Sequence, residues 1–185
     1  TWNPIRINFQ HLGLLISDAW RAENWKDKLT IWFKPTGWRP ENFEEKYPVT
    51  KINDVYHFEK YGTQHSKKLM YWSIFQALVT LFLITYMYDS IGTIGLPHVF
   101  VYGAFIFVTV YSYTELMDAR KTAVFWEAFR FLFAMGLLYF YGDWFGLSNL
   151  LPVSTFILIG YFSISLAMSI YFVAVDFEKE KIALA

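Results

Sequence analysis

The chain has 185 residues, a formal net charge of zero, 22% aromatic and only 17% charged residues, and no cysteine. Soluble domains average about 25% charged residues, so this composition excludes a disordered chain, a disulfide scaffold, a thiol enzyme and a cysteine-ligated metal site. The neutral balance also lacks the electrostatic footprint of a nucleic-acid binder, and no nucleic acid is expected as a partner.

Opening on Thr1 rather than Met, the chain reads as processed or truncated, with no basic-then-apolar signal peptide at its start. Residues 1–68 are too polar to span a membrane and too few to bury a large core of their own. They carry eleven Lys/Arg against eight Asp/Glu, whereas the rest carries five against eight, so the two parts are +3 and −3. Phe9, Leu12, Ile16, Ala19 and Trp20 recur at three- and four-residue steps, as do Trp25, Leu29 and Trp32. This predicts amphipathic helices over 5–22 and 24–33. Asn24 is the expected N-cap of the second, with Asp27 in a weak capping-box position. Their Trp-rich faces and intervening basic residues suit helices that lie in the membrane interface or pack against a neighbouring domain. Lys34–Pro40 (KPTGWRP) then breaks the pattern with two prolines and a glycine, and Glu41–Asn53 reads as a loop.

Four long apolar runs follow. Leu69–Tyr88 and Leu96–Thr114 are uncharged, Ala123–Tyr141 carries only Glu127 and Arg130, and Leu150–Val175 is again uncharged. A helix rises about 1.5 Å per residue, so about 20 apolar residues cross the hydrocarbon of a bilayer. A soluble bundle would show polar outer faces instead. The expected fold is therefore an all-α membrane protein. An interfacial amphipathic segment (1–68) precedes a transmembrane domain of four helices (69–176), and a short tail (177–185) follows.

The basic residues give the topology. Lys60, Lys67 and Lys68 precede the first span, Arg120 and Lys121 separate the second from the third, and Lys179 and Lys181 follow the fourth. The joints Asp89–Gly95 and Gly142–Asn149 hold no Lys or Arg. The positive-inside rule then places both termini and the middle loop in the cytoplasm. Tyr71 and Trp72 at one edge, and Tyr86, Tyr88, Tyr139, Tyr141 and Trp144 at the other, suit aromatic belts.

Motifs for phosphate binding, dinucleotide binding, serine hydrolysis and zinc proteolysis are absent from the sequence. His11, His57, His65 and His98 form no HxxxH or HxxHH pattern, so no catalytic, cofactor or metal-ligating residue is assigned. His57 and His65 read as solvated near headgroups, and His98 as hydrogen-bonded at the interface. Glu127 and Arg130, three apart on one helical face, form the candidate intramembrane polar site. Two readings stand: structural pairing inside the bundle, or a role at a substrate or lipid cavity, with Arg130 also able to snorkel towards headgroups. Glu115, Asp118 and Arg120 read as a solvated cytoplasmic turn that meets the amino-terminal segment. With Trp25, Trp38 and Arg39 they form a candidate packing interface.

Asn3-Pro4, Asn8, Asp18, Trp25–Leu29 (WKDKL), Phe33–Pro40 (FKPTGWRP) and Glu115–Arg130 (ELMDARKTAVFWEAFR) resemble the sterol desaturase/fatty acid hydroxylase superfamily. The similarity is to its alkylglycerol monooxygenase-like branch, in the region after the catalytic part. The resemblance implies an integral membrane di-iron oxygenase acting on a lipid, in which eight histidines on HxxxH- and HxxHH-type motifs hold the irons. This chain has none of those motifs, so the expectation is a carboxy-terminal membrane module, inactive alone. It would anchor and shape the lipid site while the irons belong to a full-length parent. The expected partners are membrane lipids and the missing histidine-rich region, in cis or in trans, and the expected location is the bacterial inner membrane. The alternative is a freestanding four-span membrane protein that binds lipid or a protein partner.

Overall fold

The computed structural model describes residues 1–185 except 36, 42, 49–53, 55, 58–60, 64 and 178–185. Lys60, Lys179, Lys181, much of the expected loop over 41–53 and all but the first residue of the tail lie outside the described residues. The described residues form helices and connections, without a strand. They divide into two units, Thr1 with Asn3–Gly62, and Trp2 with Thr63–Ala185.

The first unit is built on α1 (Pro4–Arg21) and α2 (Trp25–Thr30). Asn3 caps α1, its side chain accepting from the N–H groups of Ile5 and Arg6 at 3.0 and 3.2 Å. Pro4 occupies the first helical position, where its missing N–H would have had no intrahelical partner. Asn24 precedes α2, but its side chain makes no cap hydrogen bond. Asp27 in the first turn complements the helix dipole instead.

The second helix is shorter than the periodicity predicts. It ends at Thr30 and tightens into turns, with the Trp32 and Phe33 N–H groups donating to the carbonyls three residues back, of Leu29 and Thr30, at 3.4 and 3.0 Å. Among its described residues the stretch read as a loop contains one helical turn, α3 (Phe43–Lys46), with the Phe43 ring 5.2 Å from that of Tyr47. The apolar faces of α1 and α2 are left open: Trp20 is 84% exposed and Trp25 77%.

The second unit is a bundle of α4 (Lys67–Asp89), α6 (His98–Met117), α7 (Ala123–Tyr141) and α8 (Ser154–Tyr171). A π-helical stretch over Phe172–Asp176 continues α8. The short α5 (Ile91–Ile94) and a 3₁₀ turn at Leu147–Asn149 occupy the two joints that lack Lys and Arg. Four helices are long and apolar enough to cross a membrane, and 28–44% of each span is buried inside the bundle. Apolar side chains therefore cover the outside as well, and the chain is an integral membrane protein.

Span boundaries follow local chemistry. The first span starts at Lys67, before the uncharged run, because the Ser66 hydroxyl caps it by accepting from Leu69 N–H at 3.1 Å. The fourth starts at Ser154, after the turn that contains Pro152. The third stops at Gly142, whose φ of +78° supplies the left-handed residue that ends many helices.

Backbone packing runs α4 against α6, α6 against α7 and α7 against α8. Towards the Gly142 end the interior is aromatic. Trp144 is fully buried, 4.8 Å from the Phe105 ring and 5.5 Å from Tyr102. Its indole N–H donates to the Tyr102 hydroxyl at 2.7 Å, which in turn donates to the Leu83 carbonyl at 2.9 Å. Tyr86 is also buried and donates to the Phe145 carbonyl at 2.9 Å. Trp144 and Tyr86 are thus core residues rather than members of an aromatic belt, because the joint after Gly142 folds inward over the helix ends. Tyr71, Tyr88 and Tyr139 do face outward.

Candidate functional site

The polar side chains of the spans converge where all four helices meet. Arg130 of α7 is fully buried and donates from one Nη to Glu127 Oε1 and to the Ser165 hydroxyl, and from the other to Gln76 Oε1 at 3.1 Å. The Glu127 Oε2 accepts from the Ser112 hydroxyl at 2.5 Å. Tyr161 donates to Gln76 Oε1, and the Gln76 amide donates to Ser165. The Arg130 guanidinium also lies 5.6 Å from the ring centres of Tyr161 and Phe162. The network takes Gln76 from α4, Ser112 from α6, Glu127 and Arg130 from α7, and Tyr161 and Ser165 from α8.

This arrangement favours one of the two sequence readings of the pair over the snorkelling variant. Arg130 does not reach an interface; it is enclosed. A charge inside a bilayer is costly unless it is paired and hydrogen-bonded, and here two neutral polar groups, Gln76 and Ser165, accept from Arg130 beside the carboxylate. Arg130 Nε alone has no partner among the described residues. The site is electrically neutral, with one acid and no imidazole. Its side chains tie four helices together. Gln76, Ser165 and Tyr161 also link α4 to α8 across an apolar groove of about 420 Å³ that Phe75, Gly160 and Ile164 help to line.

Gln76, Ser112, Tyr161 and Ser165 are the residues that sequence reasoning missed. Gln76 is the one amide side chain within the four runs, and it lies on the same helical stripe as Ser73 and Thr80. That stripe was the available signal.

At the other end of the spans Glu115 and Asp118 are buried, against the expectation of a solvated turn. Glu115 accepts from the Thr122 hydroxyl at 2.7 Å, and Asp118 accepts from the Trp2 backbone N–H at 2.6 Å. Arg120 Nε stands 3.9 Å from Glu115 and 3.8 Å from Asp118. The carboxylates tie down the turn between α6 and α7, which is why they are not left to water. Asp143 plays a similar part in the joint after α7, accepting from Gly146 N–H at 2.9 Å, Ser148 N–H at 3.2 Å and the Ser148 hydroxyl. Burial pushes its acidity one way, but these hydrogen bonds win and hold the carboxyl below its usual range.

In the first unit Arg39 grips Asp18 with Nε and Nη2 at 2.8 and 2.9 Å and donates from Nη1 to the Tyr47 carbonyl at 2.8 Å. The hydrogen bonds to Asp18 hold the Arg39 pKa above its ordinary value, against the cost of burial. Arg39 is thus a packing residue within its own unit, Trp38 is half-buried, and Trp25 is open. The cleft beside this pair, about 480 Å³, is lined by Arg21, Glu23, Asn24, Asp27, Trp38 and Lys46 among others. Both charge signs line it, so it has no preference for one kind of ion.

Among the described residues no three His, Cys, Asp or Glu side chains come together as a metal site. His65 stands at one end of the bundle and His98 at the other, with His98 Nδ1 2.7 Å from the Tyr141 hydroxyl. Among the described residues, neither histidine end of the bundle gathers a ligand set of the kind a di-iron centre uses.

The fold and its interior define a polytopic helical membrane protein whose spans are joined by a neutral, enclosed polar cluster. In sequence the chain is similar to human alkylglycerol monooxygenase, 24% identical over 146 residues that cover 77% of this chain and 32% of that protein. The chain thus spans about a third of the length of the curated relative it matches. No family model matches the chain, and no solved structure does.

Proposed function

We propose that this chain is the carboxy-terminal membrane module of a lipid oxygenase of the sterol desaturase/fatty acid hydroxylase type, related to alkylglycerol monooxygenase. The observation that carries the reading is the extent of the similarity. A match over 77% of the chain cannot be confined to the apolar spans, where composition alone breeds resemblance; it must take in part of the amino-terminal unit. In this reading the bundle anchors the enzyme and shapes the lipid's approach. The irons, which would supply oxygen activation, are held by a histidine-rich region in cis or in trans. Glu127 and Arg130 hold the bundle together around Gln76 rather than touching the reacting carbon.

The open Trp20 and Trp25 faces, flanked by Lys26 and Lys28, support α1 and α2 as interfacial helices. Lys67, Lys68, Arg120 and Lys121 at one end of the bundle support a cytoplasmic location for that end and for both termini. A bacterial inner membrane is part of the proposal. The second reading, a freestanding four-span protein, is favoured by the closure of the Arg130 network by the bundle's own helices.

The deciding experiment has two steps. The transcript around this coding stretch is read for an in-frame region with HxxxH and HxxHH patterns, and the complete product is then assayed for bound iron and O₂-dependent oxidation of a lipid. Iron with lipid oxidation supports the module. A complete product without such a region, and without a histidine-rich partner, overturns it.

A further inference from the structure

Hydroxyls within the spans usually satisfy themselves on the carbonyl four residues back. Thr80 does so on Gln76, Thr109 on Phe105 and Ser163 on Ile159, at 2.7–2.9 Å. Ser73 does not. It is 7% exposed, and its Oγ has no partner among the described residues. It lines a groove of about 360 Å³ between α4 and α6, with Met70, Ile74, Ala77, Tyr113 and Met117 forming most of the wall.

His65 lines the same groove, and its Nδ1 is likewise buried without a partner among the described residues. The surrounding bonds decide what that nitrogen is. Thr63 has one hydroxyl proton, and it goes to the Met117 carbonyl at 2.7 Å. The Trp2 indole N–H donates to the same hydroxyl oxygen at 3.3 Å. His65 Nε2, 2.5 Å from that oxygen, must therefore carry a proton and donate it. Burial holds the imidazole pKa below its ordinary value against the opposing pull of the Asp118 carboxylate, so the ring is neutral. Nδ1 is then a bare lone pair inside an apolar groove. A buried acceptor without a donor is costly, and so is a buried hydroxyl with nothing to bond.

We propose that this groove seats one ethanolamine phospholipid, whose ammonium donates to His65 Nδ1, whose ester carbonyl accepts from Ser73, and whose chain lies along Ile74 and Ala77. A membrane-embedded groove open to the side meets lipid before any other solute. The Nδ1 lone pair selects a headgroup with an N–H or O–H donor, which choline lacks. The Asp118 carboxylate that acts on the ring favours a donor with positive charge over the neutral hydroxyls of a glycerol headgroup. His65 precedes α4 and Ser73 lies within its second turn, the order of headgroup and ester in a lipid. Lys67 is on the same helical stripe as Ile74, nearer the helix start, where a phosphate would sit. The inference does not rest on the oxygenase reading: a chain that oxidises nothing can still hold this lipid.

The test uses the whole chain in nanodiscs of equal parts phosphatidylethanolamine, phosphatidylcholine and phosphatidylglycerol, matched in acyl chains. Lipids retained after mild detergent extraction are counted by native mass spectrometry. One ethanolamine lipid per chain is expected, preferred about tenfold over choline lipid, the worth of one charge-assisted hydrogen bond. His65→Leu leaves no acceptor in place of Nδ1, so it should abolish the preference. Ser73→Ala, a smaller change that serves should His65→Leu fail to fold, should lower retention of the bound lipid several-fold. Equal retention of ethanolamine and choline lipids, a preference for phosphatidylglycerol, or an undiminished preference in a folded His65→Leu would overturn the proposal. So would unchanged retention in Ser73→Ala.

Discussion

Among the described residues each unit has a close arginine–carboxylate pair largely shielded from water, and the two are built differently. In the amino-terminal unit Arg39 meets Asp18 with a two-pronged fork, and its remaining donor finds a backbone carbonyl. The pair retains some access to water, with side chains 13% and 10% exposed. In the bundle Arg130 spends only one contact on Glu127 and distributes the rest over Gln76 and Ser165. Water can finish what a partly exposed pair leaves undone. Inside a bilayer nothing can, so neutral side chains from the other helices must. The bundle pair is therefore a junction of four helices, whereas the amino-terminal pair joins one helix to one loop.

Breaking the bundle pair should have the largest effect. Arg130→Leu leaves Glu127 buried without its cation and should cost about 3–5 kcal/mol, read by denaturant unfolding of the purified protein in detergent. Replacing both partners, Glu127→Leu with Arg130→Leu, should cost less than Arg130→Leu alone. If the double variant loses as much as the two single changes combined, the two side chains act independently and are not a pair.

In the amino-terminal unit, Arg39→Ala should cost about 1–3 kcal/mol, since water can enter and solvate Asp18. Limited proteolysis around residues 40–48 would show it, with the bundle's unfolding unchanged. An effect as large as that of Arg130→Leu would remove the contrast between the two environments.

Acid should act on the joint after α7. The folded pKa of Asp143 is depressed, so its contribution is fully present above the ordinary carboxylate pKa of about 3.9 and is lost as pH falls through the lower folded value. Wild-type bundle stability should therefore slope downward below about pH 4 more steeply than that of Asp143→Asn. Parallel curves would remove the role given to its hydrogen bonds with Gly146 and Ser148.

The smallest effect is expected at Trp25→Ala. The side chain is 77% exposed, so stability should change by no more than about 0.5 kcal/mol. Its fluorescence in vesicles, compared with wild type, should still lose a component quenched by brominated lipid. If no such component is lost, Trp25 does not lie in the interface.

Much of the architecture was legible because it rests on one-dimensional facts. Four runs of apolar residues of bilayer length announce four spans wherever the helices later pack, whereas the cap expected at Asn24 makes no cap hydrogen bond. Glu127 and Arg130 were visible as the charges of an otherwise apolar run, and their spacing of three already paired them. Partners contributed by other helices were not legible. Gln76, Ser112, Tyr161 and Ser165 each look like an ordinary polar residue in its own span. Trp144 and Tyr86 looked like belt aromatics because a sequence records nearness to a span end and not whether the joint folds inward. The turn of Glu115 and Asp118 looked solvated because its anchors, Thr122 and Trp2, carry no local mark.

The sequence by itself therefore determined that this protein crosses a membrane on four helices and carries an ion pair in the third, since length and polarity suffice for both. Only the tertiary structure decided what completes that pair, and that Ser73 and His65 each keep a buried polar atom without a partner among the described residues. Hydrogen bonds between helices depend on side chains meeting across about 8–10 Å of interaxial distance, and no order of residues along one helix encodes which neighbour will stand there.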